Sequence, residues 1–180
     1  MRVIAGTHRG RPLTRPTDAR PTADRVREAL FSMLGDVTDA DVLDLYAGSG
    51  ALGIEALSRG AAGVVFVDSE RAAAEAVRAN LTALGERGEV AGRDALDYLR
   101  SVAGERRFDL VFCDPPYDSA LAVAPSLAEL LPAVLYDTSV TVTESDTRTP
   151  LALPFPVVRE RAYGNTRIVI HRGWGRMSQG

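Results

Sequence analysis

Phe108-Asp109-Leu110-Val111-Phe112-Cys113-Asp114-Pro115-Pro116-Tyr117 is the stretch on which the reading of this chain turns. Its first six residues form a short apolar run with aromatic and β-branched side chains, the composition of a buried strand. The run stops on a carboxylate, two prolines and a tyrosine. Two consecutive prolines remove two backbone donors, fix φ twice and push the preceding residue out of the helical region. The spacing predicts a rigid turn that holds Asp114 and Tyr117 at the strand's carboxyl end, the edge where open α/β sheets bind ligands. An acceptor beside an aromatic face suits a planar group that carries an N–H.

Working outward, short apolar strands alternate with helices from Asp41 onward, the signature of a mostly parallel sheet with helices on both faces. Strands are expected near 42–46, 62–67, 89–91, 108–113 and 139–144, and helices near 51–59, 70–84, 94–102 and 119–131. Val157–Tyr163 and Thr166–Arg172 around Gly164-Asn165 read as an antiparallel hairpin that closes the sheet edge. Upstream, Arg2–Thr7 and Arg11–Thr14 flank a His8-Arg9-Gly10 turn and look like a small β-hairpin. Arg15–Pro21 is too rich in proline for regular structure and reads as a connector. Thr22 offers an N-cap, and a helix over 23–34 follows with Val26, Leu30, Phe31 and Leu34 on one buried face. Arg25 and Arg27 are expected elsewhere on its surface.

With 180 residues and 46% apolar composition, one domain with a real core is expected. The division suggested is an amino-terminal arm and connector over 1–22 and a catalytic domain over 23–180. No apolar run approaches the roughly 18 residues of a membrane span, and no signal-peptide pattern follows Met1. The single cysteine, Cys113, rules out an internal disulfide and fits a reducing cytoplasm. Its place beside Asp114 raises a nucleophile reading, but a buried thiol at a strand end is the plainer one.

The net charge of −3 hides an uneven distribution. Residues 1–27 carry seven Arg against two Asp, and residues 159–180 carry five Arg against one Glu. The middle is strongly acidic, and every basic residue outside the two histidines is arginine. Arginine forks suit phosphate, so Arg2, His8, Arg9, Arg11, Arg20, Arg25 and Arg27 are candidate nucleic-acid contacts, against the plainer reading of a solvated surface. His8 lies among arginines with no second ligand nearby, and no metal site is expected.

Asp44-Leu45-Tyr46-Ala47-Gly48-Ser49-Gly50-Ala51-Leu52-Gly53 ends the first parallel strand and opens a helix. Gly48-x-Gly50-x-x-Gly53 matches the dinucleotide fingerprint, with Asp68 twenty residues past Gly48 in position for ribose hydroxyls. An NAD-dependent oxidoreductase must therefore be weighed. Asp44 would repel a pyrophosphate but suits a cationic ligand, Asp94 ends the third strand where an adenine amine could meet it, and the Asp-Pro-Pro-Tyr turn has no part in hydride transfer. Acids at Asp44, Asp68 and Asp94 fit S-adenosylmethionine better. The plainer readings are loop capping for Asp44 and helix capping for Asp68 and Asp94.

Asp-Leu-Tyr-Ala-Gly-Ser-Gly followed by Asp-Pro-Pro-Tyr resembles class I S-adenosylmethionine-dependent methyltransferases that act on exocyclic amines. Within them, Arg2–Gly6, Arg9–Leu13 and Arg20-Pro21-Thr22-x-Asp24–Glu28 resemble the RsmD family, which methylates a guanine N2 amine, that of guanine 966, in small-subunit (16S) rRNA. The likeness runs from Arg2 to about Arg172. Where that family often has Glu at the second strand's end, this chain has Asp68, which keeps the carboxylate. The resemblance implies a Rossmann-like sheet of seven strands. It implies a cofactor held by Asp44, Tyr46, Ala47, Gly48, Gly50, Asp68 and Asp94, and a catalytic turn of Asp114, Pro115, Pro116 and Tyr117. Asp114 and the Pro115 carbonyl would accept from the amine while Tyr117 stacks on a flipped base. The substrate would be rRNA, in a small-subunit assembly particle, met by a monomer. The motif alone leaves adenine N6 open beside guanine N2, and a non-catalytic RNA-binding factor is a third reading.

Overall fold

The computed structural model describes residues 1–15 and 24–173, and within them the side chain of Tyr117 is left aside. The proline-rich connector from Pro16, Arg20, the Thr22 cap and residues 174–180 lie outside the described residues. Helix α1 (Asp24–Leu34) comes first, followed by β1 (Asp41–Leu45), α2 (Ala51–Ser58), β2 (Gly63–Val67), α3 (Arg71–Leu84), β3 (Glu89–Ala91), α4 (Ala95–Val102), β4 (Phe108–Cys113) and α5 (Tyr117–Leu130). A 3₁₀ turn (Leu131–Val134) leads into β5 (Leu135–Asp146), and β6 (Val157–Tyr163) and β7 (Thr166–Arg172) close the chain. One seven-stranded sheet runs in the order β3-β2-β1-β4-β5-β7-β6, with β7 antiparallel to both β5 and β6. This is the Rossmann-like architecture expected from the alternating pattern.

Strands buried on both faces need apolar residues at nearly every position, and β1, β2 and β4 supply them. Alternate residues feed two cores. Val42, Val64, Phe66, Leu110 and Phe112 face α1, α2 and α3; Leu43, Leu45, Val65, Val67, Val111 and Cys113 face α4 and α5. Burying one such side chain stabilises the fold by about 1.5–3 kcal/mol. Phe31 fixes α1 to the sheet, its ring 5.8 Å from that of Phe112.

Five expectations are corrected, three about elements and two about side chains. First, β5 begins at Leu135 rather than 139, with a register shift opposite Phe108 and Leu110. Ser139 makes the irregularity tolerable: its hydroxyl accepts from Tyr136 N (2.8 Å) and donates to Phe108 O (2.6 Å). Polar Tyr136–Ser139 concealed this strand start. Second, α5 begins at Tyr117, two residues early, because Pro116 O accepts from Ser119 N and Ala120 N and so serves as the helix's first acceptor. The double proline is thus the direct lead into α5.

Third, the amino-terminal hairpin shrinks to one bridge, Arg2 to Pro12. Four of the intervening N–H groups are claimed by α2, and Val3 N, Arg9 N, Gly10 N and Arg11 N bond within the segment. Glu55, buried, accepts from Ile4 N (2.7 Å) and Ala5 N (3.0 Å), and Thr7 N and His8 N bond Ser58. At Gly6 a Cβ would fall 1.6 Å from the Ser58 carbonyl oxygen, and φ is +78°, so only glycine permits this approach. Arg27, expected on the surface, is 0% exposed; it donates to Arg2 O and pairs with Asp24 at 3.1 Å. His8, expected as an exposed contact, has its ring nitrogen 2.6 Å from Glu86 Oε1 and only 16% of its side chain exposed.

Candidate active site

Register places the site. Leu45, Cys113 and Thr143 pair across β1, β4 and β5, Leu45 also pairs with Val67, and Val67 with Ala91. The residues one step further, Gly92, Asp68, Tyr46, Asp114 and Glu144, therefore lie at one level across five adjacent strands, the first four just past their strand ends and Glu144 within β5. Three of the five are acids. This row is the carboxyl rim of a parallel sheet, where open α/β folds hold ligands.

The β1–α2 loop is built from within. Asp44 is buried, and its Oδ2 accepts from Gly53 N at 2.9 Å. Glycine is required at 53, since a Cβ there would lie 2.4 Å from Phe66 and 3.0 Å from that carboxylate oxygen. Burial pushes the Asp44 carboxyl up to about 8; the Gly53 N–H opposes the shift and the Asp68 charge adds to it. Tyr46 has φ +60°, a conformation that costs a non-glycine residue energy and clusters at functional sites. Its hydroxyl is buried without a hydrogen-bond partner among the described residues. Burial, then the charges of Cys113 and Asp94, hold that phenol well above its ordinary range, so it is neutral and able to donate. Around Gly48 the space where a Cβ would lie is open.

The second and third strand ends complete the rim. Asp68, half-buried, accepts from Gly48 N through Oδ2 (2.8 Å) and from Glu70 N through Oδ1 (2.9 Å), tying the two loops together. Asp94 is exposed and caps α4, its Oδ1 accepting from Leu96 N (2.8 Å) and Asp97 N (3.1 Å). Oδ2 of Asp94 has no partner among the described residues.

Asp114 is half-buried at the end of β4. Desolvation raises its carboxyl well above the ordinary range, and the charges of Glu144 and Asp44 push the same way. Cys113 is fully buried with its thiol held up by burial, then by Asp114 and Asp44, which makes it an inert core residue. Pro115 is buried and Pro116 exposed. The five residues of this row offer acceptors and one neutral phenol, and none of them is a cation for a phosphate. The row suits a positively charged ligand with hydroxyls and an amine.

Two residues that hold this site escaped the sequence reading. Glu144 closes the row beside Asp114, and the alternation Val140-Thr141-Val142-Thr143 ending in an acid was the signal for it. Asn80 on α3 donates to Ser49 O (2.9 Å) and Thr14 O (2.7 Å) and accepts from Thr14 N (2.7 Å), so it links the glycine loop to the amino-terminal segment. A lone asparagine in a helix carries no sequence signal for such a role. Of the arginine candidates, Arg2, Arg9, Arg11 and Arg25 are exposed; Arg11 also donates to Ala83 O at 2.7 Å. They lie on the amino-terminal segment and α1, not on the rim itself. Among the described residues no cluster of His, Cys, Asp and Glu could hold a metal ion, and no helix is long and apolar enough to cross a membrane.

Residues 1–172 match the sequence family described as conserved hypothetical protein 95. The chain is 41% identical over 128 residues to the ribosomal RNA small subunit methyltransferase D of Haemophilus influenzae, covering 68% of this chain and 66% of that one. It is 42% identical over 125 residues to the protein of the same name from Escherichia coli K12, covering 67% and 62%. The chain thus spans about two thirds of the length of the curated relatives it matches. Among solved structures, the yhhF protein of Escherichia coli, described as a candidate methyltransferase, superposes with a TM-score of 0.83 at 34% identity, covering 96% of this chain and 97% of that one.

Proposed function

The chain belongs to the RsmD family, described as conserved hypothetical protein 95, and on that premise we propose that it methylates the exocyclic N2 amine of one guanine in 16S rRNA, guanine 966, with S-adenosylmethionine as donor. The observation that carries the reading is the row of acids along the carboxyl rim with Asp114 at its centre.

The rim fits that donor. The buried Tyr46 hydroxyl, without a partner among the described residues, the open space at Gly48 and the lack of a basic side chain among the five residues of the row match a ligand with a cationic end and no phosphate. When bound, S-adenosylmethionine supplies a methyl carried on a sulfonium. Asp68 and Asp94 are assigned to ribose hydroxyls and the adenine amine, and Tyr46, Ala47, Gly48 and Gly50 to the wall that orients the cationic end. Asp44 works from behind the loop, setting the start of α2.

An aromatic amine is a poor nucleophile because its lone pair is delocalised into the ring. Asp114 and the Pro115 carbonyl accept from its two N–H groups and hold the lone pair towards the methyl. The environment that raises the Asp114 carboxyl also makes its anion a stronger base than a surface aspartate. Asp114 can therefore take the proton that the methylated nitrogen sheds. Pro115 and Pro116 fix the turn, and Tyr117 stacks on the base. Positioning and electrostatics supply the rate, with no covalent enzyme intermediate. Arg2, Arg9, Arg11 and Arg25 contact RNA phosphates, with residues 1–22 as the RNA-contacting part of a monomer that acts on a small-subunit assembly particle.

The deciding experiment incubates the protein with labelled S-adenosylmethionine and small-subunit particles, then digests the RNA for nucleoside mass spectrometry. N2-methylguanosine at one position is expected. Label on adenine N6, or none on any RNA, defeats the reading.

A further inference from the structure

We propose that β6 carries a second rRNA contact surface, Arg159 and Arg161 on its α1 side, which binds phosphates of the strand leading away from the target base. The inference rests on the proposed methyltransferase reading and adds to it where the substrate runs beyond the rim.

The basic carboxyl-terminal stretch is a charge cluster that the site leaves unused. Residues 159–180 hold five Arg against one Glu in a chain of net charge −3. Register decides which way the arginines of β6 face. Opposite residues of an antiparallel pair project to the same face of a sheet. Arg159 pairs with Ile170 and Arg161 with Ile168, and both isoleucines belong to the core under α1. The two arginines therefore share that face. Glu160, between them, alternates to the opposite face, where Arg167 meets its Oε1 at 2.7 Å. Arg159 and Arg161 are both exposed, and among the described residues neither has a carboxylate partner, the one acid of the strand being taken by Arg167. Arg161 uses one N–H on Glu160 O at 2.9 Å, and a guanidinium has five.

Placement ties these side chains to the reacting base. Glu144, level with Asp114, pairs with Ile168, and Ile168 pairs with Arg161. Arg161 thus stands on the level of Asp114, three strands away, or about 14 Å. A nucleic-acid strand crosses that gap in a few nucleotides. Arg159 lies two residues further from the rim, about 7 Å along the strand, near the separation of successive phosphates. The helix beside them presents no competing acid. Asp24 is turned to Arg2 (3.8 Å) and Arg27 (3.1 Å), and Glu28 lies one turn along on that same flank. The opposite flank of α1, towards β7 and β6, is Val26 and Met33, packed on the shared core. Arg25, exposed between the two flanks, links β6 to the amino-terminal arginines. Planar guanidinium forks on a face without acids suit a polyanion.

The test measures binding of full-length protein, with S-adenosylhomocysteine present, to unmethylated 16S rRNA over a range of salt concentrations. Arg159→Ala/Arg161→Ala is expected to weaken binding by about tenfold at low salt and to reduce the salt slope by roughly 1.5, as for two lost phosphates. In turnover, KM for the RNA should rise with kcat unchanged, the pattern of lost uniform binding. Tm and S-adenosylhomocysteine affinity should hold, because both side chains lie on an exposed edge strand. Arg159→Lys/Arg161→Lys keeps the charges and should restore most of the slope. An unchanged slope in a folded alanine variant overturns the inference and leaves the face to another class of partner, such as a protein. If the double variant does not fold, Arg161→Ala alone carries the test, with about half of that slope change expected and no change overturning it. Wild type that binds the RNA but transfers no methyl to it defeats the methyltransferase reading instead.

Discussion

Along the carboxyl rim, Tyr46 keeps a left-handed backbone and a buried hydroxyl without a partner among the described residues, and Asp44 and Asp114 keep carboxyls far from their ordinary ranges. On the far side of α2, the first fourteen residues are arranged in the opposite way. Glu55 meets two backbone N–H groups and Arg59, Ser58 meets three residues of the amino-terminal turn, and Asn80 meets Thr14 at both ends. Both regions are dense in polar side chains packed against apolar core. One spends its hydrogen-bonding capacity on the fold, and the other leaves capacity unused where a ligand would sit. Buried side-chain groups without a partner among the described residues also occur away from the rim, at Arg27, Thr141, Thr143, Ser145 and His171, so the Tyr46 hydroxyl marks a binding rim only together with the acids beside it.

The sharpest way to break that contrast is Asp114→Ala. Methyl transfer is expected to fall by about a hundred- to ten-thousandfold, the range for a lost proton acceptor, while S-adenosylhomocysteine affinity and Tm hold. The pH dependence should agree. The group must be ionised to act as a base, so kcat/KM in the wild type rises with pH through a pKa above the ordinary carboxylate range. Turnover within tenfold of wild type in Asp114→Ala would remove the rim's claim to the chemistry.

Glu55→Ala is the mirror experiment. It strips the partner from Ile4 N, Ala5 N and Arg59 in a buried setting, at a cost of about 3 kcal/mol. For a chain of this size Tm should drop by roughly 6–12 °C, with cofactor affinity retained at low temperature. A loss below about 1 kcal/mol would mean that α2 does not hold the amino-terminal segment.

Much of the rim was legible because its motifs are backbone events. Asp114-Pro115-Pro116 fixes its own dihedrals, the glycines of 48–53 mark a tight turn, and Asp68 and Asp94 fall where apolar runs end. Glu144 was harder, because what matters about it is the neighbouring strand, and pairing between β4 and β5 is not written in either. The amino-terminal segment misled for a related reason. Arg27 shares its local pattern with Arg25, one exposed and one buried, and only the approach of Arg2 and Asp24 decides between them. His8 likewise could not announce Glu86, 78 residues away.

Asp44 lies between the two regimes, since its carboxylate both holds Gly53 N and borders the rim. Its folded pKa of about 8 lies above that of an unfolded aspartate. The stability it lends is therefore fully present below the ordinary carboxylate range and is lost as pH rises through about 8. Asp44→Asn keeps an acceptor for Gly53 N and cannot titrate. Melting curves at pH 5 and pH 8.5 should show the wild type losing on the order of 4 kcal/mol more than the variant, about 1.4 kcal/mol for each pH unit up to the folded pKa. Equal losses would mean that the folded protein already carries Asp44 as the anion.

The smallest expected effect tests the boundary of the amino-terminal segment itself. Arg9 and Arg11 are both exposed, but the Arg11 side chain donates to Ala83 O at 2.7 Å whereas the Arg9 side chain has no hydrogen bond among the described residues. If unused capacity is what marks function, the two should differ as RNA contacts. Replacing both by alanine should weaken rRNA binding by about tenfold at low salt and reduce the salt slope by roughly 1.5, as for two lost phosphates. Arg9→Ala alone should account for the larger share of the slope change, and Arg11→Ala for the larger share of any drop in Tm. Equal slope changes would show that an arginine bound to a backbone carbonyl still reaches phosphate, and the contrast between committed and uncommitted groups would fail at the surface.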